Sequence, residues 1–449
     1  MKNIYLAFAS ILINATVSSQ TIDITINNLN IDKAYLSALS GEKYSQIDSI
    51  TSMGKDKFVF TLKDKQKHPG IYRLLFGKSK WLDFIFDNED IKITSDANAI
   101  IDSMKIDASE SNRLYYSFLK LNKQYKTKSE LLQLVLARYP ADDPYYNTTR
   151  STASRLQYEY SDFINNVSQS KQKLFVARYI KSSQLQIVDF TLPLDKQLSV
   201  LKSRALDNVD FNDEELINSD LFSNKSIEYL TYYRNPQLPK ELLEKEFMIA
   251  VDTILNKTKI NVLVYQHIAE YLIDGFKKFG FEKCISYILD NYVIKDDLCL
   301  DESKGSSIQR MIEQKKMLPI GATVPDITLK DTSGSAVSLR TINTNKIVVL
   351  FYSTACPHCK SMVPQLAELS KSSKNFEVYA ISMDPDRNEW LNFIRSNKLT
   401  WKNVIDPNGW GGTAASDYYI YATPTMFLID KDKKIIATPL TIEELQKSF

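Results

Sequence analysis

The chain has 449 residues, enough for two to four domains that each bury a core. Its composition, 44% hydrophobic and 24% charged with only 12 glycines, is that of a globular protein and leaves no room for a low-complexity tract. A formal net charge of +2, with no basic-aromatic stripe, gives no electrostatic reason to expect nucleic acid or an anionic membrane as partner.

The first 19 residues read as an export signal. Lys2 is the charged start, Ile4 to Ile13 a short apolar run, and Val17 and Ser19 are fairly small residues ahead of Gln20. The run is shorter than the roughly 20 apolar residues that span a bilayer. No cysteine sits near the cleavage point, so lipoprotein anchoring is not expected. An uncleaved anchor and an apolar first strand are the other readings of the same residues.

From Thr21 to about Asp96 apolar residues alternate with period two, as in Ile22/Ile24/Ile26, Phe58/Phe60/Leu62, Leu82/Phe84/Phe86 and Ile91/Ile93. Half-buried strands at such spacing predict a small antiparallel β-sandwich or barrel over residues 20–103. The period then becomes helical, with stretches over 114–125, 151–180 and 262–292 and breaks at Pro140, Pro144, Pro236 and Pro239. Residues 104–316 are therefore expected to form a helical domain. From 317 to 449 strand and helix patterns alternate, which argues for an α/β domain with a central sheet. It begins with a hairpin around Asp331-Thr-Ser-Gly-Ser335 and continues through an apolar strand at 346–352.

That strand runs into Cys356-Pro357-His358-Cys359, which opens a helix pattern through Met362, Leu366 and Leu369. A cysteine at a helix N-terminus faces unpaired N–H groups and the positive dipole end, so its thiolate, the species that attacks disulfides, is favoured. Cys356 is the expected attacking sulfur and Cys359, one turn further in, the expected resolving one. His358 and the local N–H groups are expected to tune the thiolate. Pro357 lacks only an N–H that a first turn leaves unpaired anyway. Downstream, Thr423-Pro424 directly precedes another apolar strand, Thr425 to Asp430.

Residues from about 318 resemble the thioredoxin fold, specifically exported bacterial TlpA/ResA-like thiol–disulfide oxidoreductases. The resemblance rests on Pro319-Ile-Gly-Ala-x-x-Pro-Asp326, the CxxC, Pro364 five residues after Cys359, and Thr423-Pro424, in that order. Over the first two thirds of the chain it is architectural: a β-rich and a helical domain ahead of such a module. It implies a cis Pro424 packed against the CxxC, a Thr423 backbone that pairs with the substrate strand, a kink at Pro364, and a periplasmic location. It also implies protein substrates bearing thiols or disulfides together with a redox partner; no cofactor is expected, because the cysteine pair carries the electrons, and no metal is expected on ligand count. Three positions depart from the family. Ala355 replaces the aromatic residue often found before the first cysteine, Leu350 a buried acid, and Met362 the glutamate of ResA-like reductases. The proton acceptor for Cys359 is thereby left unassigned.

Rival readings of the motif are weaker on residue grounds. Zinc needs two further ligands, which His358, Cys284 and Cys299 are poorly placed to supply. A structural disulfide across four residues gains little chain entropy. Peroxidase chemistry, by resemblance, places a proline and a threonine where Val349 and Ser353 stand. Cys284 and Cys299 fit core packing or a pair with each other. His267 and His68 fit a helix and a turn. The expected activity is a protein-disulfide oxidoreductase, on the reductase or isomerase side rather than the oxidant side. The alternative is a partner- or ligand-binding protein with a structural thioredoxin-like module.

Overall fold

Ile22, Ile24 and Ile26 are all fully buried along the first strand, the outcome that period-two alternation requires. The computed structural model describes residues 20–449 except 55, 299, 301–305 and 374. The export-signal segment and Cys299 lie outside the described residues. The chain divides into two compact units, one ending at Leu272 and the other starting at Ile273.

The first unit opens with β1 (Ile22–Asn27), β2 (Lys33–Ser40), β3 (Lys43–Thr51), β4 (Lys57–Phe60), β5 (Gly70–Phe76), β6 (Lys80–Phe86), β7 (Ile91–Asp96) and β8 (Lys105–Ala108). They form two four-stranded sheets, ordered β4-β1-β7-β8 and β3-β2-β5-β6. Side chains of both meet in one core that includes Ile24, Leu36, Phe58, Leu74, Phe84 and Ile93. Neighbouring strands are antiparallel except β1 and β7, which run parallel with Ile22 beside Ile91. Lys105–Ala108 thus joins the sandwich although its residues fall in the segment read as helical.

The helices begin with α1 (Glu110–Arg138). Ser109 caps it, accepting from the Asn112 N–H, and Glu89 accepts from the Ser109 hydroxyl at 2.6 Å and the Ser111 N–H at 2.8 Å. Asn112, fully buried, accepts from the Ile85 N–H at 2.8 Å and donates to the Ile85 carbonyl at 2.7 Å. One side-chain amide therefore closes the open edge of β6. Next come α2 (Pro144–Ser170), α3 (Phe175–Ser183), α4 (Leu194–Arg204), α5 (Leu221–Thr231), α6 (Lys240–Thr258) and α7 (Val262–Phe279). Pro144 takes the first helical position of α2.

Two long helical stretches expected from the pattern are each divided. The first breaks where Lys171 leaves helical geometry, with φ −131°. The second ends at Gly280, whose φ of +71° and the Phe281 N–H bond to Phe276 close α7 as a left-handed cap.

The second unit contains α8 (Glu282–Ile288), α9 (Ser306–Met317) and the α/β domain. The latter runs β9 (Thr328–Asp331), β10 (Ala336–Ser338), β11 (Lys346–Tyr352), α10 (Pro357–Ser372), β12 (Glu377–Ser382), α11 (Arg387–Ser396), β13 (Lys402–Ile405), α12 (Thr413–Asp417), β14 (Thr425–Asp430), β15 (Ile435–Ala437) and α13 (Ile442–Lys447). Its seven-stranded sheet is ordered β10-β9-β13-β12-β11-β14-β15, with β11, β12 and β13 parallel. Val349 and Phe351 face one apolar layer, and Val348, Leu350 and Tyr352 the other. Burial on both faces explains why β11 reads as an unbroken apolar run. The multidomain class expected from the sequence holds: a β-rich region, a helical middle and a C-terminal thioredoxin-like α/β domain. No helix among the described residues is long and apolar enough to cross a membrane.

Candidate active site

Cys356 is the N-cap of α10 and Pro357 its first residue. The Cys356 sulfur accepts from the Cys359 N–H at 3.4 Å, filling the role an N-cap oxygen usually plays. Cys359 is fully buried in the layer of Leu350, Tyr352 and Val363, whereas Cys356 is half-buried and Pro357 and His358 are exposed. Pro364 lies inside α10, where it removes the N–H that would bond back to Lys360.

The opposite wall is the turn ahead of β14. The Thr423–Pro424 peptide bond is cis. β14 pairs with β11, Thr425 beside Phe351, so the turn is delivered to the carboxyl end of β11. There the Cys356 thiol donates to the Thr423 carbonyl at 3.1 Å. Cys356, Cys359 and Thr423 are thus brought together with Pro424 adjoining.

The two thiols are driven apart electrostatically. Partial burial opposes ionisation of Cys356. The Cys359 N–H, the Cys359 thiol, the Thr423 hydroxyl and the His358 N–H outweigh it and hold Cys356 below its ordinary value. Burial, helped by the neighbouring Cys356, pushes Cys359 up to about 12 despite the Ser353 N–H and the Thr423 hydroxyl. Cys356 is the sulfur prepared to ionise, and Cys359 is held as thiol beneath it.

The three departures from the family pattern are apolar here. Leu350 is fully buried, Met362 packs on the same layer as Cys359, and Ala355 is exposed. The sequence reading missed Asp384. Its carboxylate, 4% exposed, accepts from the Ser353 hydroxyl at 2.7 Å and from the Thr354 N–H at 2.9 Å. An acid directly after an apolar strand and before Pro385 was the available signal, since ligand-facing groups gather at the carboxyl ends of parallel strands. Outside the site, Cys284 is fully buried, and the Tyr72 hydroxyl lies 3.3 Å from His68 Nδ1 in a turn. His267 packs edge-on near Phe222.

Residues 320–438 match the AhpC/TSA family, and residues 20–115 match a domain of unknown function, DUF4369. Thiol-disulfide oxidoreductase ResA of Bacillus cereus (strain ATCC 10987 / NRS 248) is 28% identical over 130 residues, covering 28% of this chain and 73% of the relative. Sporulation thiol-disulfide oxidoreductase A of Bacillus subtilis (strain 168) is 31% identical over 110 residues, covering 23% of this chain and 65% of the relative. Among solved structures, the thioredoxin domain of a thiol-disulfide oxidoreductase from Bacteroides vulgatus is 27% identical, covering 29% of this chain and 95% of that one with a TM-score of 0.28.

Proposed function

We propose that this chain, whose C-terminal domain is a thioredoxin-fold domain of the AhpC/TSA family, is an exported protein-disulfide oxidoreductase that works through Cys356 and Cys359. The observation that carries the reading is the asymmetry of the pair. The accessible sulfur is lowered by helix N–H groups and the enclosed one is raised by burial. Resemblance to named thiol–disulfide oxidoreductases supports the same chemistry.

The Cys356 thiolate attacks one sulfur of a partner disulfide. A mixed disulfide forms, the partner S–S bond breaks, and one partner thiolate leaves. Cys359 then loses its proton and attacks the Cys356 sulfur. This forms the 356–359 disulfide and releases the second partner thiolate, so the partner gains the two electrons that the cysteine pair gives up. A donor dithiol restores the pair by the reverse exchange.

Thr423 has a fitting part. Its carbonyl accepts from the Cys356 thiol at 3.1 Å, and a thiolate has no proton to donate. Ionisation therefore frees the carbonyl to accept an N–H from the partner's extended chain. Pro357 and His358 flank the sulfur from the exposed side, and the His358 N–H contributes to its ionisation.

We place the protein in the periplasm on the strength of its first 19 residues, with N-terminal sequencing of the exported form expected to begin at Gln20. We assign it a reductase or isomerase direction, with a reduction potential nearer thioredoxin's, about −270 mV, than DsbA's, about −120 mV.

Trapping tests the reading. Cys359→Ser is expected to accumulate mixed disulfides on Cys356, and Cys356→Ser to accumulate none on Cys359. Absence of captured protein from both variants, with insulin reduction unchanged, would favour a binding protein whose thioredoxin module is structural.

A further inference from the structure

The bridge from β11 to Cys356 consists of Ser353, Thr354 and Ala355, and its bonds converge on one carboxylate. Asp384 accepts from the Ser353 hydroxyl at 2.7 Å, from the Thr354 N–H at 2.9 and 3.0 Å, and from the Ser382 hydroxyl at 2.7 Å. Three donors on two oxygens, in a site that is 4% exposed, match an ionised carboxylate. An amide there would offer one oxygen and turn an NH2 towards the other donors. From Asp384 the order passes to both sulfurs through Ser353. The Ser353 carbonyl accepts from the Cys356 N–H at 3.2 Å, and its hydroxyl accepts from the Ala355 N–H at 3.2 Å. Its own N–H is among the groups that favour ionisation of Cys359.

We propose that Asp384 is a positioning residue for the thiol exchange: through Ser353 and Thr354 it keeps Cys356 on the first N–H groups of α10 and in line with Cys359. The inference rests on Cys356 being the nucleophile. Asp384 touches neither sulfur and no reacting atom, so its effect runs through the bridge. Two contributions of the carboxylate oppose each other. Its negative charge disfavours a thiolate nearby, while the bonds it holds keep the thiolate on its N–H donors. Cys359 on α10 is in hydrogen-bond contact with Cys356, Asp384 stands two residues beyond β12 and reaches Cys356 by way of Ser353, and His358 is exposed. Tyr352, at the end of β11, feels both Asp384 and Cys359. If position dominates, loss of the carboxylate lowers Cys356 reactivity; if charge dominates, it raises it.

The test is the rate at which iodoacetamide alkylates Cys356 in the reduced full-length chain at pH 7, read by peptide mass, with far-UV melts of each variant. Asp384→Ala is expected to slow alkylation about tenfold, the equivalent of one pKa unit or 1.4 kcal/mol, and to move its pH midpoint upwards. Asp384→Asn is expected to restore part of the rate, because its oxygen can still accept from the Thr354 N–H. Ser353→Ala, which leaves the carboxylate and its Thr354 and Ser382 bonds in place, is expected to slow alkylation as well. It decides the matter should Asp384→Ala not fold. An unchanged or faster rate in the folded Asp384 variants, or an unchanged rate in Ser353→Ala, overturns the proposal. If wild-type Cys356 itself reacts no faster than Cys359, the reading of Cys356 as nucleophile fails first and this inference falls with it.

Discussion

Cys356 and Cys359 stand one helical turn apart in opposite electrostatic states, and the cause is what each sulfur meets. Cys356 meets N–H groups at the mouth of α10, and Cys359 meets apolar side chains beneath it. At neutral pH, iodoacetamide is therefore expected to modify Cys356 and spare Cys359, and equal labelling would contradict the asymmetry. The same difference appears in stability. A thiol raised to about 12 in the folded state stabilises the fold fully below the unfolded value and loses that contribution as pH rises towards 12. Reduced wild type should lose stability relative to Cys359→Ala as pH climbs beyond about 8.5, the ordinary thiol value, a difference that paired melts can read. The two cysteines were legible in the sequence because their signal is local: a strand, a four-residue motif and a helix start. Asp384 was not, because its partner Ser353 lies 31 residues away. The two meet only because β11 and β12 run parallel and end together, Tyr352 beside Ser382.

At the scale of elements, residues in tight or closed places hold the architecture, and two of them make direct tests. Asn112 of α1 satisfies both backbone groups of Ile85 at the edge of β6. Asn112→Ala leaves a buried N–H and a buried carbonyl without that partner and is expected to cost about 2–3 kcal/mol in denaturant melts. A loss under about 0.5 kcal/mol would mean that the amide is not what closes this edge. Gly412 lies against the buried Asp406, whose Oδ2 would stand 2.0 Å from a Cβ built there. Gly412→Ala should destabilise by about 1–3 kcal/mol through overpacking, with a lowered melting temperature as the reading. Strand positions in the α/β domain were legible because burial on both faces leaves long apolar runs. The division of the helical stretch after Ser170 was not, because Lys171-Gln172-Lys173 contains neither glycine nor proline to mark it. The break before α8 carried its signal in Gly280.

Across the whole molecule, the candidate site lies in the last third, while described residues up to Leu272 form a unit with its own sandwich core. The region matching DUF4369 lies within that unit. The sequence pattern reached the class of each region because alternation and helical periodicity are averages over many residues. It did not reach the place of β8, since Lys105–Ala108 is too short to show a period. The account stands on a reversible two-electron couple between two named sulfurs. Equilibrating the full-length chain against thiol–disulfide buffers of graded potential, with peptide mass as the readout, tests it most directly. We expect one transition in which the peptide carrying Cys356 and Cys359 loses two hydrogens, and no such transition in either Cys→Ser variant. Persistence of both thiols across the range, or a disulfide formed elsewhere in their place, would contradict the account.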